Sequence, residues 1–403
     1  MKNKQPQIRF MEYYKNFEPY ILGEHTELIT KGTSPKNITN DKTVNFIKIE
    51  DIINGNINPK HKISIEEHEN YLKRSRLKEN DILFSIAGTL GRTALVERSI
   101  LPANTNQALA IIRGYDFDTK FLMTTLSSKV VTEYIRRNPT VGAQPNLSLK
   151  QVNQLVIYTP EKEEQQKIGE FFKQLDDHIA LQQRHVEQLK QSKKGFLQKM
   201  FPKEGELVPE VRFDGFSGEW EATSLGNLGE IMTGSTPKTT EKEYWSENAD
   251  GYVWITPTDI NKLRISDSER KLTDKGWRKA RVIPKNSILV TSIASIGKNA
   301  INTVPVAFNQ QINAIVPKNN DSHFILSMIE KDKPRFKLIA GQTATPIINK
   351  TLFMGYRVVI PKIKEQQKIG EFFKQLDDLI DKNERELELL QETKKGFLQK
   401  MFV

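Results

Sequence analysis

Two stretches of the chain carry apolar residues at alternating steps of four and three, the spacing of a long helix with one apolar stripe. The first stretch follows Thr159 and Pro160, which suit a helix start because Thr caps the helix and Pro fits its first turn. Both stripes contain one amide, Gln182 or Asn383, at the same heptad position. The stripe positions are Ile168, Phe172, Leu175, Ile179, Gln182, Val186, Leu189, Lys193, Phe196 and Met200, and then Ile369, Phe373, Leu376, Ile380, Asn383, Leu387, Leu390, Lys394, Phe397 and Met401.

An exposed apolar stripe of this length is unstable in water, and each helix has an obvious partner in the other. The first helix leads away from one globular region towards the next, and the second must lead back. The pattern therefore predicts an antiparallel coiled coil, in which the amides cost stability but fix register and orientation. The alternative is that each helix packs only on its own globular region.

Outside these stretches, short runs rich in branched residues lie between Gly, Pro and Asn clusters, which is typical of strands. The predicted strands are 44–49, 82–86, 109–112, 155–158, 252–255, 288–293, 312–316 and 357–360. Further helices are predicted at 118–137 and 322–340. The fold class that follows is α+β, with two β-rich mixed domains joined by two long helices.

The chain also repeats itself with a period of half its length. Residues 164–177 recur unchanged at 365–378, and residues 193–201 recur at 394–402. Shorter echoes flank these blocks, such as P-x-x-R-F ending at Phe10 and again at Phe213. A repeat of this period predicts pseudo-two-fold symmetry. The expected boundaries are 1–159 and 203–360 for the globular domains, and 160–202 and 361–403 for the helical regions.

Charge and composition narrow the class of partner. Lys and Arg number 60 against 50 for Asp and Glu, a net charge of +10 that favours a polyanion such as nucleic acid. The absence of cysteine excludes disulfides and thiol chemistry, and with no apolar run of membrane-spanning length we expect a cytoplasmic protein without a membrane partner. The six histidines lack the spacing of metal ligands, so no metal site is expected.

The E-Q-Q-K-I block opening each long helix, the closing K-K-G-F-L-Q-K-M-F, the G-x-T-P-K-like turn and an N-Q pair before an apolar strand together resemble the specificity subunit of type I restriction-modification systems. The resemblance implies two target-recognition domains, each reading half of a bipartite asymmetric site in double-stranded DNA. It also implies that the helices dock two copies of a DNA methyltransferase subunit, and that a restriction and translocase subunit joins them. S-adenosylmethionine and ATP are then expected on those partners, and no cofactor on this chain.

The sequence also lacks the motifs expected of the methyltransferase and translocase subunits. It contains no [N/D]-P-P-[Y/F] loop for a flipped base, no Gly-rich loop for a methyl donor and no G-x-x-x-x-G-K-[S/T] phosphate loop. Two alternatives stay open: a coiled-coil interaction scaffold without sequence-specific DNA binding, and a self-sufficient DNA nuclease or methyltransferase.

Candidate DNA contacts fall at matching places in the two halves, since basic side chains bind phosphate and Asn or Gln amides pair with adenine. A solvated surface is the alternative for each lysine or arginine, and a scaffold role is favoured for Asn106 and Asn309. The candidates in the first half are Lys31, Lys36, Lys73, Arg74, Arg76, Arg92, Asn104, Gln107, Arg136, Arg137 and Gln144. Those in the second half are Lys238, Arg278, Lys279, Arg281, Lys298, Gln310, Gln311, Gln342 and Thr343.

The unchanged block suggests a different partner, because two identical surfaces suit two copies of one protein. The candidates for this partner surface are Gln165, Gln166, Phe171, Asp177, Gln366, Gln367, Phe372 and Asp378. The alternative is internal packing where each globular domain meets the helices.

Overall fold

The computed structural model describes residues 5–36, 43–138, 146–341 and 346–403. The chain divides into two units, the first made of Met1–Gln183 with Arg385–Val403 and the second of Arg184–Glu384. Each long helix contributes its first part to one unit and its last part to the other. The second unit is therefore one continuous segment, whereas the first is built from two.

Ten α-helices lie in the described residues, and two of them have 38 residues each. In chain order they are α1 (Ile65–Glu69), α2 (Thr119–Leu126), α3 (Lys129–Arg137), α4 (Leu149–Asn153), α5 (Lys162–Lys199), α6 (Leu225–Leu228), α7 (Asp274–Lys279), α8 (Ser322–Ile339), α9 (Lys350–Met354) and α10 (Ile363–Lys400).

The strands of the first unit form two main sheets and two short ribbons. They are β1 (Glu18–Ile21), β2 (Thr26–Lys31), β3 (Val44–Ile47), β4 (Ile52–Ile53), β5 (Asn56–Ile57), β6 (His61–Ile63), β7 (Ile82–Ser85), β8 (Thr93–Leu95), β9 (Ala103–Thr105), β10 (Leu109–Tyr115) and β11 (Val156–Thr159). The main sheets have the orders β2-β10-β7-β8 and β6-β3-β9, and the ribbons pair β1 with β11 and β4 with β5. The β3–β9 pair is parallel.

The second unit repeats the two main sheets and the β1–β11 ribbon of the first, with added strands. Its strands are β12 (Glu221–Ser224), β13 (Gly229–Thr233), β14 (Trp245–Ser246), β15 (Tyr252–Ile255), β16 (Arg264–Ile265), β17 (Lys271–Leu272), β18 (Val282–Ile283), β19 (Ile288–Thr291), β20 (Asn299–Asn302), β21 (Val306–Phe308), β22 (Ile312–Pro317) and β23 (Arg357–Ile360). The orders are β13-β22-β19-β20-β16, β14-β17-β15-β21-β18 and β12-β23. The β15–β21 pair is parallel, as its counterpart is in the first unit.

All eight predicted strands are present within a few residues of their expected bounds, from β3 to β23. The helix expected at 322–340 is α8, which continues through Pro334. The helix expected at 118–137 is instead two helices, because the chain leaves α2 at Ser127 and restarts at Ser128, whose extended backbone serves as the N-cap of α3. The mixed helix-and-strand fold is confirmed.

The two long helices contact each other inside each unit, where a stripe residue of one helix meets a residue beside the stripe of the other. In the first unit, Phe171 of α5 packs edge-on against Phe397 of α10, with 5.0 Å between ring centroids. In the second unit, Phe196 of α5 and Phe372 of α10 make the same contact at 5.0 Å. In the first unit the next contact along α5, Asp176, meets the earlier α10 residue Lys394. In the second unit Lys193, which precedes Phe196, meets the later α10 residue Asp377, so the helix segments run antiparallel within each unit.

Candidate nucleic-acid interface

A glycine turn after β2 lies directly on the loop that contains the first N-Q pair. The Gly32 amide donates to the Leu109 carbonyl at 3.2 Å, and the Thr33 amide donates to the Thr105 carbonyl at 2.9 Å. A Cβ atom at Gly32 would lie 2.1 Å from the Thr105 carbonyl oxygen, so only glycine fits. The turn and the loop therefore form one rigid platform.

The side chains of this loop divide into a structural one and an exposed one. The Asn106 carbonyl oxygen Oδ1 accepts from the Ala108 amide at 3.1 Å, which holds the loop in shape. The exposed Gln107 accepts from the Ser34 hydroxyl through Oε1, which orients the glutamine amide. The scaffold role expected for Asn106 is confirmed.

The second unit builds the same platform from its own residues. The Gly234 amide donates to the Ile312 carbonyl at 3.2 Å, and a Cβ atom there would lie 2.2 Å from the Asn309 carbonyl oxygen. Asn309 Oδ1 accepts from the Gln311 amide at 3.0 Å, and the Thr236 hydroxyl donates to exposed Gln310. Gln107 and Gln310 thus occupy equivalent positions with equivalent partners.

Most of the basic candidates of the first unit reach solvent. The Lys36 ammonium lies 4.2 Å from the ring centroid of Tyr71, itself 44% exposed. Arg137 pairs with Glu133 at 3.1 Å on the last turn of α3. The other exposed basic candidates are Lys31, Lys73, Arg74, Arg92 and Arg136.

Three candidates of the first unit donate hydrogen bonds to backbone carbonyls of the protein. Asn104 is fully buried, and its amide donates to the Leu72 carbonyl at 2.9 Å and to Ser75 at 3.1 Å. The expectation that Asn104 reads a base is therefore wrong for this conformation. The Arg76 Nε donates to the His68 carbonyl at 2.8 Å, and one Arg92 nitrogen donates to two backbone carbonyls. Both guanidiniums therefore use some of their N–H groups within the protein, which leaves fewer of them for DNA.

In the second unit, the exposed basic candidates surround the glycine turn and the end of α7. Arg281 donates to the Thr233 carbonyl beside the turn, and Lys238 pairs with Glu241 at 3.0 Å. Arg278 and Lys279 are exposed on the last turn of α7, whereas Lys298 is half-buried. Gln311 accepts from the Asn309 side-chain amide at 3.2 Å, which leaves it less available than Gln310. Gln144, Gln342 and Thr343 lie outside the described residues.

An aromatic cluster beside this turn was not among the candidates. The indole N–H of Trp245 donates to the Lys238 carbonyl and that of Trp254 to the Ser235 carbonyl, both at 3.2 Å. The exposed Arg270 guanidinium lies 3.6 Å from the Trp245 ring centroid. Only tertiary structure brings these residues together. In the sequence, the one available indication was that Arg270 lies between tryptophans, at 254 and 277.

The unchanged helix block serves first to hold each globular domain on its helix. Glu164 is fully buried and accepts two bonds from Arg9, at 2.7 and 2.6 Å. Glu365 is buried and accepts two bonds from Arg212, both at 2.7 Å. This bidentate pair links the P-x-x-R-F echo to the first residue of the block in each unit.

The adjacent glutamines also face inward, contrary to the expected partner surface. Gln165 Oε1 accepts from the Asp118 amide at 3.0 Å, and Gln366 Oε1 accepts from the Asp321 amide at 3.1 Å. Those two aspartates cap α2 and α8. Gln165 and Gln366 are buried, so the assignment of both to a partner surface is wrong.

The phenylalanines expected on the partner surface pack internally as well. Phe171 contacts Phe10 edge-on at 6.1 Å, and Phe372 contacts Phe213 at 5.9 Å, in addition to their contacts across the long helices. Both are half-buried. The alternative of internal packing is the better description of Phe171 and Phe372.

What stays exposed in both copies of the block is one polar helix face, which we call the block face. Its residues are Gln166, Lys167, Glu170, Gln174 and Asp177 in the first unit, and Gln367, Lys368, Glu371, Gln375 and Asp378 in the second. The two copies differ at one end, because Asp177 pairs with Lys173 of its own helix whereas Asp378 pairs with Arg264 of β16.

In the described part of the chain, none of the helices is both long and apolar enough to cross a bilayer. The same part also contains no group of three or more His, Asp or Glu side chains placed to hold a metal ion.

The same platform is built twice, each time on a mixed α+β domain, so the chain contains a duplicated structural module. The model of the type I restriction modification DNA specificity domain matches residues 14–191 and again 217–392. The chain belongs to this family and carries its domain twice. The resemblance recognised in the sequence motifs is confirmed.

Relatives and solved structures agree with this assignment. The chain is 24% identical to the type I restriction enzyme HindI specificity subunit of Haemophilus influenzae, over 91% of this chain and 95% of that protein. It is 32% identical to the MjaIX specificity subunit of Methanocaldococcus jannaschii, over 46% of this chain and 44% of that relative. The crystal structure of a type I S subunit from M. genitalium covers 99% of both chains with a TM-score of 0.67 and 16% identity, which shows a shared fold.

Proposed function

We propose that this chain is the DNA sequence-recognition subunit of a type I restriction-modification complex and has no catalytic role of its own. The observation that carries the proposal is the platform of glycine turn and N-Q loop, built alike in both units but surrounded by different side chains. Two domains with the same backbone framework but different surface side chains suit the binding of two different DNA sequences. Each domain then reads half of a bipartite asymmetric site in double-stranded DNA.

The long helices supply the spacing and the assembly surface in this proposal. They form one antiparallel coiled coil that relates the two domains by a pseudo-two-fold axis. The block face, unchanged in both copies, docks two copies of a DNA methyltransferase subunit, as matched interfaces require. A restriction and translocase subunit completes the complex, and S-adenosylmethionine and ATP bind to those partners.

The test is co-expression of the chain with its methyltransferase partner, followed by methylome sequencing. We expect a bipartite methylated motif that disappears without this chain. Replacing residues 1–159 by the corresponding domain of another family member should change one half of the motif and leave the other half intact. A change in both halves would contradict the modular reading of DNA.

Two other outcomes select the alternatives. If the chain assembles with methyltransferase but no methylated motif depends on it, the scaffold function is correct. If the purified chain alone cuts or methylates DNA, it is a self-sufficient enzyme. Purified single-chain assays and the co-expression assay therefore separate the three functions.

A further inference from the structure

The second unit holds one exposed arginine in a fixed orientation without a charged partner. The Arg270 guanidinium carbon lies over the Trp245 ring at 3.6 Å from its centroid, and 5.2 Å from the centroid of Trp254, whose ring is nearly perpendicular to that of Trp245. Among the described residues, no carboxylate pairs with this guanidinium and no hydrogen bond uses its nitrogens. The neighbouring Asp267 is taken by Lys271.

Backbone contacts fix the base of the same side chain. The Ser268 hydroxyl donates to the Arg270 carbonyl at 2.7 Å and accepts from the Trp254 amide at 3.0 Å. Arg270 also directly precedes β17, which is paired on both edges by β14 and β15. These contacts hold the backbone at Arg270, and the contact of its guanidinium with Trp245 favours one side-chain orientation, which lowers the entropy cost of binding.

The tryptophans connect Arg270 to the platform. Their indole N–H groups bond the carbonyls of Ser235 and Lys238, the two residues that bracket the turn beside Gln310. A planar donor fork, stacked on one face and unpaired along its edge, suits the O6 and N7 acceptors of guanine in the major groove. The exposed amide of Gln310 lies on the same platform.

We propose that Arg270 reads a guanine in the half-site of the second unit, with Trp245 as its positioning residue. This inference rests on the proposed function, since it names one specificity determinant within it. The first unit presents the Lys36 ammonium over Tyr71 beside its own turn, a point charge without the planar fork. The basic side chains stacked on aromatic rings near the two turns thus differ in chemistry.

The experiment uses the full-length chain purified with its methyltransferase subunits. The wild-type half-site of the second unit must contain a G·C pair. In Arg270→Ala, preference for that pair should fall about 5- to 150-fold, the range for one bidentate contact of ~1–3 kcal/mol, while the other half-site stays unchanged. Methylome sequencing and fluorescence anisotropy with duplexes altered at that single pair provide the readouts.

Two further variants separate base reading from other roles. Arg270→Lys keeps the charge but loses the fork, so discrimination should fall while the salt dependence of binding stays that of the wild type. Arg357→Ala, at an exposed arginine of β23 in the same unit, is the matched control and should leave both half-sites unchanged. Because Arg270 is exposed, thermal unfolding of its variants should match the wild type.

Each contrary result overturns a defined statement. If Arg270→Ala weakens binding equally on all duplexes and lowers the salt slope by about one, Arg270 is a phosphate contact and the inference is wrong. Unchanged base preference, or a wild-type half-site without a G·C pair, also refutes it. If the wild-type complex methylates no bipartite motif, the proposed function itself fails, which is a distinguishable outcome.

Discussion

At the scale of single residues, the buried ion pairs decide how firmly each domain is held on its helix. The side chain of Glu164 is fully buried and that of Arg9 is 11% exposed. Removing one partner of a buried pair leaves an uncompensated charge, which costs about 3–5 kcal/mol. We therefore expect Arg9→Ala to lower the free energy of unfolding by about that amount, measured by urea denaturation of the full chain.

The controls for this prediction lie in the same unit. Lys15→Ala removes a solvent-exposed pair with Glu161 and should change stability little. Adding Glu164→Gln to Arg9→Ala should recover part of the loss, because the unpaired charge is then gone. A double variant as unstable as Arg9→Ala alone would show that packing, and not charge, accounts for the effect.

A second residue-scale prediction concerns acid. Burial raises the pKa of Asp377 to about 6, although its ion pair with Lys193 at 2.7 Å opposes the shift. Between the ordinary value of 3.8 and about 6, the folded chain keeps a proton that the unfolded chain has released. The free energy of unfolding should therefore fall as the pH rises through this window.

The measurement is a difference between variants across pH. In Asp377→Asn the contribution of this proton is absent. From about pH 4 to 6, the unfolding free energy of the variant minus that of the wild type should therefore increase. Asp176→Asn, at the repeat-equivalent and 41% exposed position paired with Lys394, is the matched substitution in the first unit. A gap that stays constant with pH would contradict the assignment to Asp377.

At the scale of elements, the glycine turns couple each platform to its own sheet. An alanine Cβ at residue 32 or 234 would overlap a backbone carbonyl oxygen at 2.1 or 2.2 Å, so the turn must move off the N-Q loop. We expect Gly32→Ala to weaken recognition of one half-site and Gly234→Ala to weaken the other. Methylome sequencing of each variant complex measures this.

Gly195→Ala is the control for both glycine variants. A Cβ atom there meets nothing within 4 Å, and alanine favours a helix by about 0.5–1 kcal/mol over glycine. This variant should keep both half-sites. Loss of both half-sites from either turn variant would contradict the assignment of one platform to each.

Sequence patterns predicted what depends on local order and repetition. The strands, the long helices and the equivalence of the N-Q pairs followed from periodicity and from the duplicated blocks. Burial of a polar residue depends instead on a distant partner: Gln165 faces inward because the Asp118 amide meets it, and Asn104 because the Leu72 carbonyl does. Neither contact produces a periodic pattern in the sequence, so the sequence analysis assigned both residues to the wrong surface. The contact of Arg270 with Trp245 joins residues that only the β14–β17 pairing brings together.

At the scale of the whole molecule, the proposed docking of two identical partners rests on the block face. Gln174 and Gln375 are exposed on it in equivalent positions. If each copy docks one methyltransferase subunit, Gln174→Arg should reduce the complex from two such subunits to one, and the double variant with Gln375→Arg should bind none. Native mass spectrometry of the purified complex counts the subunits.

The control for this prediction is a helix position that differs between the repeats. Lys382 is exposed where the first copy has Leu181, so Lys382→Gln should leave the stoichiometry unchanged. Two bound subunits in the double variant would place the docking surface elsewhere.

The division of the chain also determines which unit can be completed first during synthesis on the ribosome. Residues of the second unit, Arg184–Glu384, emerge as one uninterrupted segment. The first unit lacks its last pieces until Arg385–Val403 is made, because Phe402 packs on Phe121 and Phe172, and the Ile8 amide bonds the Lys400 carbonyl. The unit translated first is thus the one completed last, because its aromatic core lacks Phe402 until residues 385–403 have been made.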